Sequence, residues 1–169
     1  MKKLINLSSD WKHEFARFYA DFALNDPENA EPYELGQENF TKYLEKLSNQ
    51  KLGTEEREAI SYFWLVNDSK QILGAIGIRH ELKRTIIREE VGHIGFDVAP
   101  SYRGKGVGKQ LLNLGLQQAK DIGLKQVMIV ADESNIASRK VIEFNCGQLT
   151  DIVTGTLSPE PIARYWAVV

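Results

Sequence analysis

The sequence predicts an α/β fold, a mixed, mainly antiparallel central sheet with flanking helices. Three observations predict it. Aromatic residues at helical spacing fill the first third of the chain. Short β-branched and aromatic runs joined by tight turns fill the middle. The C-terminal half then alternates strand, helix, strand, helix, strand. With 169 residues, 43% hydrophobic and 26% charged, the chain reads as one domain over residues 1–169 with a substantial core.

Residues 2–6 read as a short strand. Trp11, Phe15, Phe18, Tyr19 and Phe22 recur at the spacing of one helix face. Residues 25–38, rich in Asn, Pro and Glu, read as a loop. Phe40, Tyr43, Leu44 and Leu47 mark a second helix, and Gly53 ends that region. Residues 61–66 and 71–81 form a predicted hairpin around the turn Asn67-Asp68-Ser69, and 91–98 a third strand stopped by Ala99-Pro100. Val107, Leu111, Leu114, Ala119 and Ile122 share a face of a long helix closed by Gly123. A buried-type strand over 126–131 precedes a helix over 135–145 whose inner side is assigned to Ala137, Val141 and Phe144. Strands over 150–153 and 162–168 complete the sheet.

Twenty-one basic against 23 acidic residues leave a formal charge of -2, which argues against nucleic acid or an anionic membrane as the main partner. No apolar run approaches the roughly 20 residues that cross a bilayer. The first residues are no secretory signal. The lone Cys146 forms no internal disulfide, so a cytoplasmic location is the expectation. Beside Gly147, Cys146 is read as buried packing rather than a nucleophile. No His, Cys, Asp and Glu cluster has metal-ligand spacing, so no metal is implied.

The chemistry concentrates between Val98 and Leu112, where a strand runs through a glycine-rich turn into a helix. Glycines admit a ligand close to the backbone, and a helix start aims unpaired N–H groups at an anion. Arg103, Lys105 and Lys109 add positive charge. The Gly-x-x-x-x-Gly-Lys-Ser/Thr pattern fails, because Arg103 stands at its first glycine and Gln110 at its hydroxyl position. The Gly-x-Gly-x-x-Gly pattern fails at Lys109 and at Leu111. Arg103-x-x-Gly106-x-Gly108 fits Arg/Gln-x-x-Gly-x-Gly/Ala, and this loop resembles the pyrophosphate loop of the GNAT acyl-CoA N-acyltransferases. The resemblance continues in Asn135-x-x-Ser138 heading an amphipathic helix that ends at Gly147. The order of elements also matches that superfamily, and Arg79-His80, Gly92 to Phe96 and Arg164-Tyr165-Trp166 look like a subgroup of largely uncharacterised bacterial members.

That resemblance implies a GNAT-type sheet and acetyl-CoA as co-substrate. The backbone of Phe96 and Val98 would pair with pantetheine, and the N–H groups of Arg103, Gly104, Lys105, Gly106, Val107 and Gly108, with Lys109, would hold the pyrophosphate. Asn135 would contact pantetheine and Lys140 the phosphates, while Asn135 also suits a helix N-cap. The implied reaction is N-acetyl transfer to a small-molecule or peptide amine. An acyl-CoA-binding module without catalysis is the alternative, and oligomeric state is left open, a homodimer included. His93 is the candidate base, with His80, Asp97 and Glu90 as competitors. Many family members carry an acid Tyr seven residues after the Asn; here Ile142 stands there, and Ser138 is the substitute candidate acid.

Overall fold

The computed structural model describes residues 1–157 and 159–169. Helix α1 (Lys12–Asn25) buries Phe15, Phe18 and Phe22, one stripe at i, i+3 and i+7. Each such ring contributes about 1.5–3 kcal/mol by leaving water. Helices α2 (Glu31–Glu38) and α3 (Phe40–Leu52) close on that stripe with Tyr33, Phe40 and Tyr43. Phe15 lies 5.2 Å from Phe40 and 5.0 Å from Tyr43 between ring centroids, and Phe18 meets Tyr33 edge-on at 4.9 Å. The three helices cover one face of the sheet through Trp64, Val66, Ile72 and Ala75.

The sheet runs β1-β2-β3-β4-β5-β7-β6. Its strands are β1 (Lys2–Ile5), β2 (Ile60–Asn67), β3 (Ile72–Arg79), β4 (Ile94–Val98), β5 (Gln126–Asp132), β6 (Gln148–Thr154) and β7 (Pro161–Val168). Every neighbouring pair is antiparallel except β4 and β5, which are parallel and meet at a single register position, Ile94 against Ile129. Beyond that position the two strands diverge. Helices α4 (Val107–Ile122) and α5 (Ile136–Phe144) flank the other face, where Leu111, Leu112 and Ala119 pack on Ile76, Ile78, Ile94, Val127 and Ile129.

The mixed sheet and flanking helices are those read from the sequence, and the structure corrects several local readings. Residues 31–38 are helical rather than loop: Pro32 sits in the first turn, where its missing N–H is harmless, and Gly36 lets Phe15 approach. A Cβ at Gly36 would stand 2.3 Å from that ring. The third strand begins at Ile94, not 91, because a π-helical turn over Ile87–Val91 precedes it. Gly92 follows that turn at φ 76°, with its α-carbon so close to β5 that a Cβ would lie 2.6 Å from the Met128 carbonyl oxygen. Helix α5 is phased differently from the expectation. Ile142 is its fully buried residue, whereas Ala137 is exposed and Phe144 is 61% exposed, lying under the Lys109 ammonium at 3.9 Å. Cys146 is exposed rather than buried, in a left-handed conformation at φ 64° just after the helix.

Candidate active site

The divergence of β4 from β5 leaves one edge of β4 unpaired. Ala99 N–H donates to the Leu73 carbonyl and Arg79 N–H to the His93 carbonyl, so the odd-numbered residues of β4 face β3. By the alternation of an antiparallel ladder, Phe96 and Val98 turn their backbone groups into the opening. Arg103 Nε bonds the Val98 carbonyl at 3.0 Å, as that direction requires. The opening continues over the start of α4. Gly106 is its N-cap at φ 75°, and the first-turn N–H groups of α4 have no intrahelical acceptor. Gly108 lets α4 close on its neighbours: a Cβ there would lie 3.1 Å from Val141 and 3.4 Å from Val98.

A groove of about 520 Å³ follows this path. Phe96, Val98, Arg103, Gly104, Gly106, Val107, Gly108, Lys109, Asn135 and Lys140 all line it, together with Ser138. Lys105 does not; its ammonium bonds the Ser101 carbonyl at 2.9 Å. Arg103 is committed within the protein, pairing with Asp26 at 2.6 Å and lying over the Phe22 ring, so it shapes the loop. Asn135 Oδ1 accepts the Ser138 N–H at 3.0 Å as a helix cap, which leaves the amide NH₂ as a donor at the groove wall. Length, glycine turn, helix N-terminus and flanking lysines all suit a pyrophosphate with a long extended arm.

A second cavity of about 590 Å³ lies on the α2–α3 side of the sheet. It meets the groove at Phe96, Asp97, Asn135 and Ser138. Asp97 sits at this junction, its Oδ2 accepting the Tyr33 hydroxyl at 2.7 Å. Burial raises the Asp97 carboxyl above the usual range, against the lowering effects of the Tyr33 hydrogen bond and the Arg103 charge.

The histidines lie elsewhere. His93 is buried and lines neither cavity; its Nδ1 accepts the Met128 N–H at 2.9 Å and its ring faces Trp166. His80 Nε2 is 2.9 Å from the Ser61 hydroxyl and also lines neither. Glu90 reaches the second cavity but is engaged by the N–H groups of Leu157 and Thr156 and by the Thr156 hydroxyl, and these bonds lower its pKa. Ile142 lines neither cavity; Ser138 and Asn135 are the α5 cap and first-turn residues common to both. Tyr33 was hidden from sequence reading inside an acidic stretch assigned to loop. Only its α2 register, with Tyr33 and Gly36 on one face, could have exposed it.

A split mixed sheet with a glycine turn heading a helix defines a domain whose open strand edge has the shape and charge for a long phosphate-bearing ligand. The chain belongs to the acetyltransferase (GNAT) family, whose sequence model matches residues 13–147, and it is an acetyl-CoA-dependent acyltransferase by that membership. Solved structures share the fold. A microcin self-immunity acetyltransferase (MccE) in complex with acetyl-CoA and AMP aligns with a TM-score of 0.72 at 14% identity, covering 99% of this chain and 92% of that one. Mycobacterium smegmatis RimJ in complex with CoA-disulfide gives 0.73 at 13%, covering 99% and 81%. Spermidine N-acetyltransferase from Vibrio cholerae, in complex with CoA and spermine, gives 0.64 at 13%, covering 99% and 95%. No curated protein matches the chain by sequence. No helix among the described residues is long and apolar enough to cross a membrane.

Proposed function

We propose that the chain transfers an acetyl group from acetyl-CoA to a primary amine by direct attack in a ternary complex. The observation that carries this reading is the meeting of the two cavities at Asp97, where a half-buried carboxylate stands beside the open edge of β4. Bound in the groove, acetyl-CoA supplies an electrophilic thioester carbonyl. Asp97 takes a proton from the incoming ammonium, which gives the nitrogen the lone pair it needs to form the new C–N bond. Backbone N–H groups of Phe96 and Val98 point into the opening and donate to the carbonyl oxygen as its charge grows. The C–S bond breaks as the amide forms, and the nitrogen's second proton passes through the Ser138 hydroxyl at the junction to the departing sulfur, which leaves as the thiol. Gly104, Gly106, Lys109, Asn135 and Lys140 hold the phosphates and the arm.

This assignment moves the base from His93 to Asp97, because His93 lines neither cavity and its Nδ1 lone pair is engaged. Ile142 is a core residue, and a non-catalytic acyl-CoA binder stays the alternative to be tested. Free thiol released from acetyl-CoA with an amine panel tests the reading. Wild type should turn over at least one amine, and Asp97→Asn should lose about 10²–10⁴ in kcat with acetyl-CoA affinity retained. Tight acetyl-CoA binding with no turnover on any amine would return the chain to a binding role.

A further inference from the structure

The floor of the second cavity consists of three cross-strand rows on one face of the sheet. Trp64, Ala75 and Asp97 form the first, Tyr62, Gly77 and Gly95 the second, and Ile60 and Arg79 the third. The middle row carries no side chain on β3 or β4: the Tyr62 ring lies over Gly77, 2.8 Å from where a Cβ would stand, and a Cβ at Gly95 would meet nothing within 4 Å. Four residues of extended strand separate the row of Asp97 from that of Arg79, about 13 Å.

Arg79 closes the far end. Its Nη1 donates to the Gly92 carbonyl at 3.3 Å, and its Nε is buried without a partner. No carboxylate among the described residues forms an ion pair with it. A guanidinium does not surrender its proton in a protein, so this is a half-buried cation, and Glu58, the carboxylate whose charge reaches it, is already paired with Arg84. Two more buried side-chain atoms have no partner among the described residues, Trp64 Nε1 and Gln50 Oε1. Trp64 is 1% exposed. All three residues line this one cavity. Folded proteins pair nearly all buried polar groups, so orphans gathered round one cavity point to a ligand that pairs them.

We propose that the acceptor is a primary amine carrying a small anionic group, a carboxylate or a phosphate, about 10 Å from its nitrogen, with an amide between them, as in a compound of di- or tripeptide size. The amine lies at Asp97 and the anion on Arg79. The amide carbonyl accepts from Trp64 Nε1, and the amide N–H donates to Gln50 Oε1. This rests on the amine acetylation proposed above. Of the acidic residues between Asp26 and Glu38, only Glu31 lines the second cavity; Asp26 is spent on Arg103, and Glu28, Glu34 and Glu38 line neither cavity.

The probes are trialanine and its C-terminal amide, and an aminohexyl phosphate and its parent alcohol. For wild type, kcat/KM should favour the anionic member of at least one pair by about tenfold or more. The pair that shows the preference identifies carboxylate or phosphate. In Arg79→Gln that ratio should fall to within about twofold of unity, while Arg79→Lys keeps part of it. A wild-type ratio near one in both pairs overturns the proposal, whatever the variants do. If no amine releases thiol, calorimetric titration with N-acetyl-trialanine separates the two questions. Binding to wild type that weakens about tenfold in Arg79→Gln keeps the anion site while transfer fails. Equal binding by wild type and variant, or none by wild type, overturns it.

Discussion

Two carboxyls respond to pH with opposite sign. Burial raises Asp97, so its contribution to stability is present below its unfolded value of 3.8 and is lost as pH rises through the folded one. Its ionised form costs stability, and the proposed role as base requires that form. Asp97→Asn should therefore raise Tm at pH 7 while removing activity; a lower Tm with turnover intact would make Asp97 a structural residue. Glu58 runs the other way. Burial pushes it up, but hydrogen bonds from the Arg84 side chain and backbone outweigh that and bring it to about 2, from 4.5. Its contribution is full above pH 4.5 and disappears as pH falls toward 2. Urea denaturation across that window should show a stability loss that Glu58→Gln largely abolishes. For His93→Ala, the Met128 N–H loses its acceptor in a buried place, at a cost of about 1–3 kcal/mol. Its kcat should stay within about threefold of wild type. A hundredfold fall in a folded variant would bring His93 back as the base.

Among the elements, the start of α4 and the packing of α2 decide most. A Cβ at Gly106 meets nothing within 4 Å, so a side chain costs only the strain of φ 75°, which Asp tolerates better than most residues. Gly106→Asp should keep a native far-UV spectrum yet abolish acetyl-CoA binding by calorimetry, because it places a negative charge at the helix N-terminus. Undiminished binding by the folded variant would remove the loop from the cofactor site. Helix α2 carries Tyr33 to Asp97 only because Phe15 holds α1, α2 and α3 together. Phe15→Ala should cost about 3–5 kcal/mol in chemical denaturation. A loss below about 1 kcal/mol would mean that the aromatic cluster closes over the gap.

At the scale of the whole molecule, the groove draws on β4, α4 and α5 at once. A ligand there ties both flanking helices to the split sheet, so acetyl-CoA at a hundred times its Kd should stabilise the fold by about 2.7 kcal/mol. Thermal unfolding should show a Tm that rises with acetyl-CoA concentration in wild type and not in Gly106→Asp. A concentration-independent Tm in wild type would deny the groove its ligand.

Periodicity and turn chemistry carry far in this chain because they act over a few residues. The aromatic stripe of α1, the Asn67 hairpin turn, the glycine-headed α4 and the Asn135 cap were all legible, and with them most of the residues that line the groove. What failed was decided by distant neighbours. Helix α2 forms on Phe15, the phase of α5 follows from Ile142 packing beneath it while Phe144 stays outside, and the start of β4 depends on Gly92 lying against Met128. The acceptor side belongs wholly to that second kind. Tyr33, Trp64, Arg79 and Asp97 come from α2, β2, β3 and β4, and their kinship appears only when cross-strand register stacks them on one face. Local sequence determined the backbone cradle of this acetyltransferase, because a cradle is one contiguous turn. The second cavity and the surroundings of Asp97, where the proposed base and acceptor site lie, were decided by tertiary structure, because burial and register bring together residues that no spacing connects.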